Sequence, residues 1–268
     1  MDIPKTLLIP LWARARATKE NVENCSDPFA LDVLASDRFD LSPLEKLSPS
    51  LKHMMIHAVA VRTRLFDDAV ERFISANANP VIINLGCGLD YRSHRFITKK
   101  VQWYNVDVNA THQIREELLP EADNIHEVAG GINEPLWLNA IPNGADQNVL
   151  LISEGTLMYF DANTVHRFLN DFRCRFPRHH GCIELVGDLA KNKIHPTVKA
   201  IGANCPFLHG VRDAEKTMNS WMNGVYVTQV DSLFNYAKSH QWRWLRLLFY
   251  IAPGLRYRMG SMLVHYHL

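Results

Sequence analysis

The chain has 268 residues, 47% of them hydrophobic, and its 29 basic residues nearly balance 28 acidic ones for a formal net charge of +1. That length and apolar content suffice for a sizeable core, in one large α/β domain or two small ones, and a single domain with an accessory segment fits better. Near-neutrality excludes the basic excess that a nucleic-acid surface requires, so a small molecule becomes the default partner.

The five cysteines, Cys25, Cys87, Cys174, Cys182 and Cys205, are scattered and form no C-x-x-C pair, the usage expected of reduced thiols in a cytoplasmic protein. The opening MDIPKTLLIPLWARARA imitates a signal peptide, but its apolar run is broken by Pro10 and followed by Arg14 and Arg16, which suggests an N-terminal arm. The greasy stretch from Leu245 to Leu255 contains Arg246 and is too short for a bilayer that needs about 20 apolar residues, so no membrane span is expected.

In chain order, Pro43 to Pro49 is a turn-rich entry, with Ser48 or Ser50 as caps, to a long helix. Leu51, Met55, Ala58, Leu65, Ala69 and Phe73 share one stripe of it with Arg62. A guanidinium on that side needs an anion, either a neighbouring carboxylate or a ligand's. Val81 to Leu85 reads as a buried strand, followed by a glycine turn and a helix through Arg95 to Thr98. A second strand, Gln102 to Val106, ends on Asp107; a helix spans Thr111 to Leu119; Asn148 to Ser153 is a third strand running into Glu154. Asp161 caps a helix to Phe176, and Cys182 to Val186 is a fourth strand. This alternation predicts a parallel, doubly wound sheet. Residues 191–227 have weak periodicity and suggest an insertion with one helix around Glu215 to Trp221, and Trp242 to Leu268 suggests a terminal hairpin turning at Ala252-Pro253-Gly254.

In VIINLGCGLD, Gly86 permits a sharp turn at the strand tip and Gly88 lets a ligand lie against bare backbone. Asp107, about 20 positions on at the next strand's tip, is placed to accept hydrogen bonds from ribose hydroxyls. The third small residue of a dinucleotide fingerprint is replaced by Tyr91, and no Gly-Lys-Ser/Thr follows, so the turn suits a nucleoside without phosphates. S-adenosylmethionine fits, its carboxylate directed to Arg62 and its ammonium to Glu154. For Glu154 the alternative is a charge favoured by a helix N-terminus.

The blocks KTLLIPLWARA, AVRTRLFDDAV, VIINLGCGLDYRSHRF, WYNVD and LLISEGTLMYF, in that order, resemble the leucine carboxyl methyltransferase superfamily, in the bacterial branch that resembles the tetracenomycin polyketide O-methyltransferase. The likeness covers residues 5–176 and is loose beyond, with HGVRDAE from His209 a faint echo. It implies an α/β, class I (Rossmann-like) seven-stranded, mostly parallel sheet with a helical N-terminal extension. Within one domain over 1–268 it suggests an arm at 1–79, a cofactor core at 80–190, and an insertion with C-terminal strands at 191–268. It further implies S-adenosylmethionine as donor, with contacts at Arg62, Gly86, Cys87, Gly88, Asp107, Val108, Gly131, Ile132 and Glu154. The chain departs from the family pattern at Gly131-Ile132, at Val108-Asn109 after Asp107, and at His209, which stands in place of a tryptophan.

The reaction so implied is O-methylation of a carboxylate or hydroxyl of a small metabolite, a polyketide-like acid included; a protein C-terminus, as for the eukaryotic relatives, stays open. A carboxylate is already ionised near neutral pH and needs no base. A hydroxyl needs one, for which His94, Tyr159 and His209 are the candidates. Arg92, Arg95, Arg14 and Arg16 are candidate cations for an acceptor carboxylate, against the alternative of solvated surface arginines. His53 and His57, and His179-His180 in what reads as a polar loop, lack a metal-binding grouping. A nicotinamide oxidoreductase on a similar sheet and a non-catalytic cofactor-binding protein are the rival readings.

Overall fold

The structure is a computed structural model that describes residues 5–23, 25–36, 38–98, 100–143, 148–236 and 243–268, with the backbone alone at 243–246. The amino-terminal part is helical: α1 (Leu8–Lys19), α2 (Pro28–Ala35), α3 (Ser42–Glu45) and α4 (Pro49–Ala76). Asp27 and Ser48 accept the Ala30 and Leu51 N–H groups to cap α2 and α4. Pro28 and Pro49 follow these caps, where a missing N–H costs no helical bond.

Strands and helices then alternate as β1 (Pro80–Leu85), α5 (Arg92–Arg95), β2 (Gln102–Asp107), α6 (Asn109–Leu118), β3 (Ile125–Ala129), β4 (Asn148–Ser153), α7 (Ala162–Arg175) and β5 (His179–Val186). The rest comprises α8 (Pro196–Ala200), α9 (Ala214–Trp221), β6 (Tyr226–Ser232), α10 (Arg243–Ile251), α11 (Leu255–Met259) and β7 (Ser261–His267). All seven strands join one sheet in the order β3-β2-β1-β4-β5-β7-β6. β1 to β5 run parallel, and β7 is antiparallel to both β5 and β6. This is the α/β, Rossmann-like, mostly parallel sheet expected for a class I methyltransferase. Strand order reverses between β1 and β4, which leaves a crevice beyond their carboxyl ends.

Both faces are covered. Phe168, Leu169 and Phe172 of α7 pack with Leu151 and Ile183, while Phe66, Val70 and Phe73 of α4 pack with Ile82 and Leu150 on the other side. A separate apolar cluster, including Leu11, Trp12, Ala30, Leu44 and Leu89, ties α1 to α4 to the glycine turn.

Four expectations need correction. The helix after the glycine turn is short, Arg92–Arg95, and does not reach Thr98. β3 escaped notice because its half-buried edge sequence IHEVA lacks an apolar run. The tail is not a hairpin within Trp242 to Leu268: Trp242 lies outside the described residues, α10 and α11 occupy the segment, and β7 finds its partner in β6. His179 opens β5 instead of lying in a loop, fully buried and bonded to Phe176 O at 2.8 Å and the Tyr266 hydroxyl at 3.1 Å.

Candidate functional site

At the end of β1 the backbone turns with Gly86 at φ +68° and Gly88 at φ +53°, conformations that side chains with a Cβ rarely adopt. Gly86 has a further reason to be glycine: a Cβ there would stand 2.0 Å from Thr156 Oγ1. The space at Gly86 is therefore claimed by the segment after β4, whereas a Cβ at Gly88 would face Leu7 of the arm at 3.1 Å. Gly86 N–H donates to Val106 O at 2.7 Å, and Gly88 N–H donates to Asp107 Oδ2 at 2.8 Å, so β2 fixes the turn.

The two charges expected at the ends of a bound amino acid meet across this turn. Arg62 of α4 donates from Nε to Glu154 Oε1 at 2.8 Å, and its Nη1 lies 3.5 Å from Glu184 Oε2. The other Glu154 oxygen accepts from Arg92 Nη2 at 2.8 Å, and Arg92 also binds Asp67 and Asp90. Arg95 joins through Asp67 at 2.6 Å. Four carboxylates thus meet three guanidiniums, leaving the network one positive charge short. Burial opposes the charge on Arg62, but Glu184 and Glu154 outweigh it and raise its pKa. Burial likewise opposes the Glu154 charge, and Arg62 and Arg92 outweigh that to keep it ionised.

Arg62, Asp90, Glu154 and Glu184 of this network line a cleft of about 530 Å³. Arg62, Gly86, Cys87, Gly88, Asp107, Val108, Gly131, Ile132 and Glu154 all border it. Asp107 accepts from Gly88 N–H and, through Oδ1, from Val108 N–H at 2.7 Å. Val108 is 49% exposed although apolar, Ile132 is buried, and a Cβ on Gly131 would meet nothing within 4 Å. The Thr111 hydroxyl, also in the lining, is buried without a hydrogen-bond partner among the described residues. Burial pushes the Cys87 thiol pKa well up, so it stays protonated and unreactive.

Other candidates fall away from the chemistry. Arg92 is 1% exposed and committed to three carboxylates, so it is neither a surface arginine nor a free acceptor cation. Arg14 is buried on Asp27 at 2.7 Å and Leu89 O at 2.9 Å, and Arg16 lies between Glu20 and Glu45. His94 bonds Pro120 O, and His209 bonds Phe160 O and packs on Trp221; neither borders the cleft. Tyr159 does, but burial, then Glu184, push its pKa up to about 12, so it is no base near neutrality. Sequence reasoning missed Glu184, Thr156 and His195. The His195-Pro196-Thr197 triplet was the available signal for the last, a capping residue before a helix-starting proline. Among the described residues no His, Cys, Asp and Glu group suits a metal, and no helix is long and apolar enough to cross a membrane.

The leucine carboxyl methyltransferase family model matches residues 8–173, more than half of the chain. The chain belongs to this family. Its match to the tetracenomycin polyketide synthesis O-methyltransferase TcmP of Streptomyces glaucescens is 29% identical over 59% of the chain and 56% of that protein. An S-adenosyl-L-methionine-dependent methyltransferase, dpfgK, of Gibberella zeae is 29% identical over 63% of the chain and 61% of its own length. The chain therefore spans somewhat over half the length of these curated relatives. A solved structure from Thermobifida fusca superposes with TM-score 0.55 at 12% identity, covering 95% of this chain and 93% of that one, which bears on the fold alone. Family membership sets aside the nicotinamide oxidoreductase reading.

Proposed function

We infer that the protein is an S-adenosylmethionine-dependent O-methyltransferase acting on a carboxylate, or a hydroxyl, of a small metabolite. The observation that carries this is the charge-deficient network at the end of the glycine turn. Arg62 and Glu154 offer opposite charges to a zwitterionic amino acid, and a donor with one net positive charge supplies what the network lacks.

The rest of the cleft fits the same donor. Asp107 retains acceptor capacity beyond its two backbone bonds, for a ribose diol. Val108 and Ile132 offer apolar surface for a base, Gly131 leaves room beside them, and about 530 Å³ lies within the roughly 300–1,000 Å³ of small-molecule sites. Bound there, the donor supplies a methyl group on a sulfonium, a good leaving group that departs as a neutral thioether. The chain contributes alignment and exclusion of water, the latter helped by the arm residues Leu7, Ile9 and Pro10 along the cleft. The absence of a competent base among His94, Tyr159 and His209 favours a carboxylate acceptor.

Incubation with methyl-labelled donor and a metabolite extract tests this reading. Label should enter an organic fraction and be released as volatile methanol by mild alkali, as a methyl ester requires. Alkali-stable label would indicate an ether and a hydroxyl acceptor. Binding of S-adenosylhomocysteine without any transfer would favour the non-catalytic binding protein.

A further inference from the structure

A second, larger cavity of about 1,320 Å³ lies beside the cofactor cleft. Met55, Ala58, His195, Phe207, Leu233 and Ser261 border both spaces, so the two adjoin. Its walls are chiefly apolar, with Val61 and Leu65 from α4, Val186 from β5 and Leu255 from α11. Its volume exceeds the roughly 300–1,000 Å³ of ordinary small-molecule pockets.

His195 stands at the seam, and its protonation pattern is fixed by the fold. As the residue that caps α8, it accepts the Thr197 N–H at Nδ1, 3.4 Å away, with the Thr197 hydroxyl also on Nδ1 at 2.7 Å. A backbone N–H only donates, so the ring proton of neutral His195 resides on Nε2. Burial, with the Arg62 charge adding to it, lowers the His195 pKa and keeps the ring neutral at pH 7. Such a ring donates a hydrogen bond from Nε2 and has no lone pair there to remove a proton. Lys193, two residues away and also in the large cavity, makes no ion pair among the described residues. Arg64 also lines the cavity, paired with Asp68 at 3.6 Å, and Glu23 is the one carboxylate in that lining.

We propose that the large cavity is the acceptor site for a bulky, predominantly apolar carboxylic acid, whose reacting carboxylate is held at the seam by the Nε2–H of His195. In the step, a carboxylate oxygen forms the new O–CH3 bond as the S–CH3 bond breaks. The bonding pair stays on sulfur, and no proton moves. At the seam a hydroxyl acceptor would have to lose a proton that neither His195 nor Tyr159 accepts, and His53 and His57, which line the large cavity, do not border the cofactor cleft. The product ester loses the acid's charge and with it most of the attraction to this corner, which favours its release.

This proposal rests on the methyltransferase reading of the cleft, and its test separates the two. With S-adenosylhomocysteine present, 1-pyrenebutyric acid, its methyl ester and 4-(1-pyrenyl)butanol are titrated against the protein by fluorescence. The acid should bind about tenfold or more tighter than the ester, as a hydrogen bond to a charged group implies. His195→Asp retains a capping oxygen but puts an anion at the seam, and should abolish the preference for the acid. His195→Asn, which caps and donates, should preserve part of it. Val61→Trp, which fills the cavity, should weaken all three probes and leave S-adenosylhomocysteine affinity unchanged. Equal binding of acid and ester, an undiminished acid preference in His195→Asp, or undiminished probe binding in Val61→Trp would overturn the proposal. Failure of every pyrene probe with S-adenosylhomocysteine still bound would overturn it while leaving the cofactor reading intact. If the wild-type protein fails to bind S-adenosylhomocysteine, the cofactor reading falls and the proposal with it.

Discussion

Arg62 on α4 and Glu154 at the end of β4 are 92 residues apart in the chain and 2.8 Å apart in space. Each is also held from behind, Arg62 by Glu184 and Glu154 by Arg92, so neither needs a large movement to present its charge to the cleft. Preorganisation of this kind lowers the ordering cost of binding.

If Arg62 grips the donor's carboxylate as proposed, replacing it by alanine removes one charge-assisted bond. S-adenosylhomocysteine affinity should fall by about 1.5–3 kcal/mol, roughly ten- to a hundredfold, in titration calorimetry. An unchanged Kd in a folded variant would return Arg62 to a purely structural role between Glu154 and Glu184.

Gly86→Ala and Gly131→Ala should behave in opposite ways. The first combines φ +68° with a Cβ at 2.0 Å from Thr156 and should cost at least about 2 kcal/mol of stability in urea titration. The second meets no neighbour within 4 Å and should leave stability within about 0.5 kcal/mol, any effect appearing in nucleoside affinity. Equal destabilisation by both would contradict the geometry of the turn.

Asp107→Ala should weaken S-adenosylhomocysteine binding and erase discrimination against its 2′-deoxy analogue. Part of the loss will come from the Gly88 and Val108 N–H groups that Asp107 holds. The deoxy comparison isolates the ribose contribution; continued discrimination by the variant would remove Asp107 from that role.

His179 gives a pH prediction. Burial lowers its pKa from 6.5 to about 4, so between these values the unfolded chain takes up a proton that the folded chain refuses. This contribution destabilises the fold as pH drops below 6.5 and saturates below about 4, reaching roughly 3 kcal/mol at most. His180, His195 and His209 are shifted in the same direction and add to the slope. His179→Gln should therefore lose less stability than wild type between pH 7.5 and pH 5 in urea titrations; parallel losses would refute the assignment.

The glycine turn, its flanking strands and the long helix carrying Arg62 were legible because each rests on local chemistry. A continuous apolar run makes a buried parallel strand, a pair of glycines marks positive φ, and a period of 3.6 sets a helix face. The same stripe on α4 that reads as core divides in space: Ala69 and Phe73 are buried away from both cavities, Met55 and Ala58 border both, and Leu65 is buried yet lines the larger one. Nothing local distinguishes these fates. Edge strands β3 and β6 were illegible for a related reason, since β3 is at most half-buried, β6 is buried only at its end, and neither shows a continuous apolar run.

By itself, then, the sequence determined the sheet's central strands, the sharp turn at Gly86 and the presence of Arg62, Asp107 and Glu154 at element ends or on one helix face. Only the tertiary structure decided what those charges touch. Arg92 sits on a helix too short to define a face, and its burial depends on Asp67, 25 residues earlier, and Glu154, 62 residues later. Electrostatic pairing falls off over a few ångströms in space and is indifferent to separation along the chain. Partners assembled by the packing of α4 against the sheet were therefore beyond the reach of periodicity, as was the position of His195 between the two cavities.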